Sequence, residues 1–327
     1  MSEDATAHVI AHDRAGARCV VYESRAAWLH GRRRIITSTD IGAIAGVSKY
    51  GTALSVYAEK MLLPSAADDA DDSTDEMLLG KIFQKDIARA YQILRMKRES
   101  VDYAIDHVGD HTLVFHATRE RHGTSMDCWQ WPVSDDDDVT PLEVKKVNSF
   151  PDDPLEEWLT QVQWQMYCTG TPAATIVALC GGIEIRWWDI PRDEELIGAL
   201  RVMADEFWKN HVEHGLPPSS DGSFSSSAAM RKLYPVSSPG LEVTLEMTDL
   251  DTVVRIQEQA KEIDLLQKAK AANEDMLKAK MGTAEVAYLP NGGKITWKSF
   301  DKSGYAVKPM TVRPFRIIAE PPIKKGK

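Results

Sequence analysis

The sequence predicts an α/β (α+β) fold in which helices flank a mixed central sheet. Apolar residues recur at helical spacing between residues 76 and 95, which indicates an amphipathic helix. Strand-like runs follow over residues 111–118, 127–133 and 139–147. A helix, a hairpin and another helix come next, and this order is typical of helices packed on one sheet.

Two helices are predicted before these elements. One covers the region around Ala27 and leads into the arginines of residues 32–34. The sequence Thr-Ser-Thr-Asp then occupies residues 37–40. Side chains of these types cap helix N-termini, so we expect the next helix to begin near Ile41.

The elements beyond the sheet-breaking prolines of residues 151–154 are bounded by clear turn signals. Thr-Gly-Thr-Pro at residues 169–172 stops a helix, and the Gly-Gly pair at residues 181–182 marks a hairpin. The predicted elements are a helix over 155–168, strands over 174–180 and 183–190, and a helix over 193–214.

Three regions are predicted along the chain. Residues 1–214 form the main domain, and residues 215–240, rich in Pro, Ser and Gly, form a linker or extended loop. Residues 241–327 form an extension, with a long polar helix opening at Thr248 and a hairpin around residues 291–293.

Composition indicates a globular protein of the cytoplasm. Hydrophobic residues make up 43% of the 327 residues, and we find no signal-peptide core and no apolar run of the ~20 residues that span a membrane. The four cysteines show neither CxxC nor zinc spacing, so we expect reduced thiols, no zinc and no iron–sulfur cluster.

The net charge of −10 argues against a surface that attracts nucleic acid everywhere. The charge is unevenly distributed, however. Acidic residues concentrate in 68–76 and 135–138, whereas basic residues cluster at 32–34, 145–146 and 324–327. A basic channel within an acidic body therefore remains compatible with the composition.

The candidate chemistry lies in the second and third predicted strands. Glu143 and Lys145 project to the same face of a strand, because side chains alternate with a period of two. If the strands pair across the acidic turn at 135–138, Asp127 lies beside Glu143. Two carboxylates and an ammonium at one sheet edge suit Mg²⁺ binding and the orientation of an attacking water.

Each of these signals also has a purely structural interpretation. A Glu-x-Lys strand is commonly a charged pair on a solvated face, although the apolar neighbours of Glu143 indicate burial. Gln161 and Gln165 share one helix face, either to bind a phosphate or a metal-bound water or as a solvated polar face. The strand tryptophans are interpreted as core residues or as stacking surfaces for bases. They are Trp129, Trp131, Trp187 and Trp188.

The ordered set of motifs resembles the YqaJ-type viral recombinases, relatives of phage lambda exonuclease in the PD-(D/E)XK nuclease superfamily. The resemblance covers roughly residues 25–215, and the tail from about residue 245 resembles an extension that many members carry. The motifs in order are Arg32, Ile36-Thr-Ser-Thr-Asp-Ile-Gly42, Gly80-Lys-Ile-Phe-Gln84, Asp127, Glu143-Val-Lys145 and Gln161-Val-Gln-Trp-Gln-Met166.

The resemblance implies a metal-dependent nuclease site. Asp127 and Glu143 would bind Mg²⁺, with Mn²⁺ as an alternative and the carbonyl of Val144 as a third ligand. Lys145 would position the nucleophilic water, with Gln161 assisting from the neighbouring helix.

The resemblance also implies a phosphate-binding group near the start of the domain. Arg32, Ser38 and Thr39 would grip phosphate, at the 5′ end of a DNA strand. An arginine suits this task because its planar guanidinium matches phosphate oxygens.

The chain departs from the family pattern at Gln84, where a glutamate is usual. An amide is a poorer Mg²⁺ ligand than a carboxylate, so a metal position here would be weakened. Three explanations stay open: a natural variant, an inactivated homologue, or a Glu→Gln substitution made to trap substrate.

By this resemblance we expect a 5′→3′ exonuclease that acts on double-stranded DNA ends. It would leave 3′ single strands for a single-strand annealing protein of the RecT or Redβ type. Relatives form rings, so we expect a homo-oligomer with a basic bore, in a bacterial host and of phage or mobile-element origin.

Two alternatives remain at the sequence level. The first is a catalytically weakened protein that keeps the nuclease fold and serves as a scaffold for DNA or a recombinase. The second is another PD-(D/E)XK enzyme, such as a RecB-like or CRISPR-adaptation nuclease.

Overall fold

A computed structural model of the protein describes residues 7–10, 17–62 and 74–299, in two compact units, Met1–Tyr234 and Pro235–Lys327. The helices are α1 (Arg25–Arg33), α2 (Ser38–Ile44), α3 (Ala53–Met61), α4 (Asp75–Glu99), α5 (Glu156–Thr169), α6 (Glu194–Phe207), α7 (Phe224–Leu233) and α8 (Met247–Met281). The strands are β1 (Ala7–Ile10), β2 (Arg18–Tyr22), β3 (Tyr103–His107), β4 (Thr112–Phe115), β5 (Gly123–Thr124), β6 (Cys128–Pro132), β7 (Thr140–Val147), β8 (Ala173–Cys180), β9 (Glu184–Pro191), β10 (Val286–Tyr288) and β11 (Lys294–Thr296).

A mixed five-stranded sheet forms the centre of the first unit. Its strand order is β3-β6-β7-β8-β9, with β7 and β8 parallel and the other neighbours antiparallel. The crossover between the parallel strands contains α5, as a parallel pair requires a long connection. The predicted fold class, a mixed central sheet flanked by helices, is confirmed.

Helices α4 and α5 cover opposite faces of this sheet. Tyr91 of α4 belongs to a buried cluster with Leu142 and Val177. Val162 of α5 packs instead in a cluster with Ile176, the strand neighbour of Val177. Because side chains alternate along a strand, the sheet is buried on both faces at β7 and β8.

The strand tryptophans divide into two pairs. Trp129 and Trp131 are buried in an apolar cluster, so the core interpretation is correct for them and the base-stacking interpretation is wrong. Trp187 and Trp188 of β9 are half-buried, and both indole N–H groups donate hydrogen bonds.

Helix α2 begins with a capping box. The side chain of Thr37 accepts from the backbone N–H of Asp40, and the Asp40 carboxylate accepts from the backbone N–H of Thr37. The predicted capping segment is thus correct, although the helix starts at Ser38 rather than near Ile41. A separate antiparallel sheet of order β1-β2-β4-β5 lies in the same unit.

The region predicted as an extended linker, 215–240, differs in the structure because it contains α7. The Ser223 hydroxyl caps this helix by accepting from the backbone N–H of Ser226. The buried Ser226 hydroxyl lies 3.0 Å from that of Thr52, at the start of α3. The serines of this region favour a flexible loop in the sequence. In the structure, Ser223 caps α7 and Ser226 contacts α3.

The C-terminal unit contains the predicted long helix and hairpin. Helix α8 is polar and largely exposed, and β10 pairs with β11 antiparallel, with Val286 opposite Thr296. The basic tail at residues 324–327 lies outside the described residues.

Two further sequence expectations can be compared with the fold. No helix in the described ranges has both the length and the apolar character needed to cross a bilayer. The four cysteines are buried free thiols.

Candidate active site

The pairing of β6 with β7 brings Asp127 to Glu143. Cys128 lies opposite Leu142 in the antiparallel ladder, so Asp127 and Glu143, which flank this pair, are neighbours where β6 begins. The Asp127 Oδ2 atom accepts a hydrogen bond of 2.8 Å from the backbone N–H of Val144. The hairpin across the acidic turn, predicted from the sequence, is confirmed.

Glu143 lies at the centre of a closed hydrogen-bond network. Its Oε1 atom accepts from Lys145 Nζ at 2.7 Å and from Gln161 Nε2 at 2.6 Å. Gln161 Oε1 in turn accepts from Lys145 Nζ at 2.7 Å, which closes a triangle of three side chains. Gln165 Nε2 donates to the other carboxylate oxygen, Oε2, at 2.7 Å.

Helix α5 supplies the two glutamines because its turns repeat every 3.6 residues. Gln161 and Gln165 therefore share the face that lies against Glu143 and Lys145 of β7. Both amides are buried, so the predicted polar helix face is not solvated. The Gln165 Oε1 atom is buried without a hydrogen-bond partner among the described residues, next to the carboxylate that its amide holds.

The electrostatics of the site favour an additional positive charge. Burial, reinforced by the charge of Glu143, raises the pKa of Asp127 to about 8. Burial alone would lower the pKa of Lys145, but the charges of Glu143 and Asp127 outweigh it and raise that pKa. Two carboxylates thus face one ammonium, and a cation beside them would relieve the repulsion between Asp127 and Glu143.

These residues fit a divalent cation that prefers oxygen ligands. Carboxylate oxygens of Asp127 and Glu143 are suitable donors for Mg²⁺. In the ranges that the structure describes, no three or more His, Cys, Asp or Glu side chains converge on a metal position. Remaining ligands would have to come from the Val144 carbonyl, the Gln84 amide and water.

A cleft of about 480 Å³ opens over this network, and we call it the active-site cleft. Gln84 of α4 is half-buried in its wall, so the departure from the family pattern lies at the candidate site. The cleft is also lined by the basic residues Arg25, Lys81 and Lys146. A locally basic cleft within a chain of net charge −10 is suited to a polyanion.

Of the three predicted phosphate-binding residues, Arg32 lies near the end of α1, and Ser38 and Thr39 lie at the start of α2. Thr39 lines the active-site cleft, whereas Arg32 lines a neighbouring one. Arg32 Nη2 donates to Thr39 Oγ1 at 3.0 Å, and its guanidinium lies 5.0 Å from the Trp28 ring. The Ser38 side chain is nearly fully buried and accepts from Thr124 Oγ1, which suits a structural role.

Sequence reasoning missed Lys60, which supports these candidate phosphate-binding residues. Lys60 Nζ donates to Asp40 Oδ2 at 2.6 Å and to the backbone carbonyl of Arg32 at 3.0 Å. Burial would raise the pKa of Asp40, but the charges of Lys60 and Arg32 lower it below its usual value. A lysine in a short amphipathic helix gives no sign in the sequence that it is buried.

Comparison with known proteins agrees with the motif order. Residues 27–172 match the model of the YqaJ-like viral recombinase domain. The chain is 22% identical over 271 residues to the uncharacterized protein YqaJ of Bacillus subtilis (strain 168), with 82% of each chain covered.

The fold also resembles solved structures at low identity. One is the alkaline exonuclease LHK-Exo from Laribacter hongkongensis, with a TM-score of 0.42, 16% identity, and coverage of 58% of this chain and 93% of that one. Its complex with dAMP has the same TM-score and coverage at 18% identity. The resemblance to YqaJ-like viral recombinases that the sequence predicts is confirmed by the match of residues 27–172 to that family's model.

Proposed function

We propose that this protein is a Mg²⁺-dependent exonuclease that degrades one strand of double-stranded DNA from its 5′ end. The observation that carries the proposal is the convergence of Asp127, Glu143, Lys145 and Gln161 at one end of the sheet, under a cleft with basic walls. The product would be a 3′ single strand, the substrate of homologous recombination of the phage type.

Asp127, Glu143 and the carbonyl of Val144 would hold the metal in this proposal. Bound Mg²⁺, or Mn²⁺ in its place, supplies Lewis-acid stabilisation of the charge that develops on the scissile phosphate. Gln84 would be a weak fourth contact, because a neutral amide binds Mg²⁺ less well than a carboxylate.

Lys145 is the residue to which we assign the catalytic role in this proposal. Its ammonium is fixed by Glu143 and Gln161, so it can orient an attacking water and stabilise negative charge on the phosphate. The Gln161 amide accepts a hydrogen bond from Lys145 and donates one to Glu143. The pKa of Lys145 is raised, which favours a permanently charged group over a general base at neutral pH.

Arg32 and Thr39 support recognition of the 5′ end. Thr39 belongs to the walls of both clefts, and Arg32 donates a hydrogen bond to it. Ser38 would act indirectly in this proposal, because its hydroxyl is buried against Thr124. A guanidinium held beside the active-site cleft is suited to a terminal phosphate.

A ring-shaped homo-oligomer would reconcile the acidic chain with an anionic substrate. The basic walls of the active-site cleft would face a central bore, and the excess of acidic residues would lie outside. We propose this assembly together with an annealing partner of the RecT or Redβ type, in the cytoplasm of a bacterial host. A monomer found by light scattering at the protein concentration used in the digestion assay would contradict the proposed ring.

Gln84 favours a second candidate function, that of a scaffold with weakened turnover. Its amide lies in the wall of the active-site cleft, where a carboxylate would strengthen metal binding. In that case the protein would bind DNA ends and a recombination partner while cleaving slowly.

One experiment separates the two functions. A linear duplex with a 5′ phosphate on one strand only is incubated with the protein and Mg²⁺, with EDTA in place of Mg²⁺, and with Lys145→Ala. The exonuclease removes the phosphorylated strand in Mg²⁺ alone, and Lys145→Ala slows this at least about 100-fold. Digestion that survives EDTA or the lysine substitution contradicts the proposed mechanism, whereas tight DNA binding without digestion supports the scaffold.

A further inference from the structure

Gln165 is the second glutamine of the Glu143 network. Its side chain is fully buried on α5. The Nε2 atom donates to Glu143 Oε2 at 2.7 Å and makes a longer contact, of 3.5 Å, with the backbone carbonyl of Ser125. Ser125 lies two residues before Asp127 in the chain. Gln165 therefore contacts one candidate metal ligand directly and the segment that leads to the other.

The two oxygens of the Glu143 carboxylate are not equivalent in this network. Each oxygen of a carboxylate has two lone pairs and can accept two hydrogen bonds. Oε1 accepts from both Lys145 and Gln161, so both of its lone pairs are in use. Among the described residues, Gln165 is the one donor to Oε2. One lone pair of Oε2 is therefore available to a cation, whereas Oε1 has none to offer.

Asp127 shows a similar division between its two oxygens. Oδ2 accepts from the backbone N–H of Val144, and no group in the described ranges donates to Oδ1. The orientation of Asp127 is thus fixed by the backbone of β7. The orientation of Glu143 depends instead on the side chains of Lys145, Gln161 and Gln165.

The buried amide of Gln165 has a cost in stability, which indicates that its N–H donor has a role. The Gln165 Oε1 atom is buried, and no described residue donates to it. A buried oxygen without a hydrogen bond destabilises the folded protein. An apolar side chain of similar length, such as methionine, would fill the same space without that oxygen. The amide offers in exchange the hydrogen bond to Glu143 Oε2.

We propose that Gln165 is a positioning residue for the metal, which holds the Glu143 carboxylate so that Oε2, rather than Oε1, binds the divalent cation. The inference rests on the proposed function, because the cation is the Mg²⁺ of that site. The two glutamines then have separate tasks. Gln161 fixes Oε1 together with Lys145, and Gln165 fixes the oxygen that binds the metal.

The test measures Mn²⁺ binding directly, without DNA. Electron paramagnetic resonance of free Mn²⁺ gives the Kd of the parent, of Gln165→Met and of the matched control Gln163→Met. Groups that orient a metal ligand typically contribute 10- to 100-fold to metal affinity, so we expect the Kd of Gln165→Met to rise about 10-fold. The Kd of Gln163→Met should stay close to that of the parent, since Gln163 bonds Pro191 and Asp193 instead of Glu143.

Digestion at saturating Mn²⁺ provides a second measurement. The kcat of Gln165→Met should fall less than its Mn²⁺ affinity, because Lys145 keeps its hydrogen bonds to Glu143 and Gln161. Circular dichroism checks the fold of each variant. If Gln165→Met does not fold, Gln165→Asn replaces it. Asparagine is one methylene shorter, so its N–H groups no longer reach Oε2 and the same rise in Kd is expected.

Two outcomes overturn the inference: a Kd for Mn²⁺ in Gln165→Met equal to that of the parent, or an equal rise in Kd in Gln163→Met. The proposed exonuclease is judged separately, by digestion in Mg²⁺ that is lost in Lys145→Ala. If that digestion is observed while Gln165→Met binds Mn²⁺ normally, the positioning role alone fails. A parent protein that binds no Mn²⁺ contradicts the proposed function itself.

Discussion

Lys60 Nζ lies 2.6 Å from Asp40 Oδ2, and neither side chain is more than 4% exposed. The pair joins α3 to the N-terminus of α2, because Asp40 also accepts from the backbone N–H of Thr37. Lys60 donates in addition to the backbone carbonyl of Arg32. One buried ion pair thus fixes both the backbone and the helix cap from which the candidate phosphate-binding residues project.

Replacing Lys60 with methionine should destabilise the protein. The Asp40 carboxylate would stay buried without its nearest cation, a change that costs about 3–5 kcal/mol in comparable sites. Urea unfolding measures the loss. The double variant Lys60→Met/Asp40→Asn is the matched control, because it removes the buried carboxylate charge and keeps an oxygen for the cap; it should be more stable than Lys60→Met. If the free energy of unfolding of Lys60→Met lies within about 1 kcal/mol of that of the parent, the ion pair contributes little to stability.

The metal-free protein should lose stability as the pH rises towards the pKa of the Asp127 carboxyl. The pKa of this carboxyl is about 8 in the folded protein, against a usual value of 3.8, so the folded state holds its proton more tightly. Its stabilising contribution is therefore complete below about pH 4 and is lost as pH rises through about 8.

Asp127→Asn isolates this effect. The amide oxygen can still accept from the Val144 N–H, but no charge forms beside Glu143. In EDTA at pH 9, urea unfolding should show Asp127→Asn more stable than the parent, with a smaller difference at pH 5. Adding Mg²⁺ at pH 9 should stabilise the parent and not the variant. A variant less stable than the parent at pH 9 in EDTA would contradict the assigned direction of the pKa.

The glutamine network predicts that Gln161 affects turnover more than DNA binding. Gln161→Leu removes one donor to Glu143 and the acceptor that holds Lys145, so both lose their fixed orientation. Supporting groups of this kind typically contribute 10- to 100-fold to activity or metal affinity. We expect a fall of about that size in kcat for duplex digestion and little change in DNA affinity measured in Ca²⁺.

Gln163→Leu is the matched control on the same helix. Gln163 bonds the backbone of residues Pro191 and Asp193, away from Glu143, so its loss should lower stability without the same loss of kcat per folded molecule. Equal kcat values for the two variants would contradict a specific role for Gln161.

The sequence predicts local pairings well and distant ones poorly. The neighbourhood of Asp127 and Glu143 follows from two strand-like runs around one turn, and Gln161 and Gln165 share a face through simple helical geometry. Lys60 could not be paired with Asp40 in advance, because the contact depends on how α3 packs against α2.

Helix α7 is not predicted from the sequence, for a related reason. Its serines favour loops when they are solvated, and the Ser226 hydroxyl gains its buried partner, Thr52, only when α7 packs against α3. The hydrogen bond from the Ser225 hydroxyl to the Tyr50 carbonyl likewise comes from the segment expected to be a linker.

The final prediction concerns the departure from the family pattern. Gln84→Glu should raise Mg²⁺-dependent digestion, because a carboxylate in the wall of the active-site cleft would bind the metal more strongly than an amide. The half-maximal Mg²⁺ concentration should fall, and the rate at limiting Mg²⁺ should rise about 10-fold. Gln84→Ala is the control, since it removes the amide without adding charge and should not increase the rate. Unchanged digestion in Gln84→Glu across a Mg²⁺ titration would show that this position does not limit the metal site.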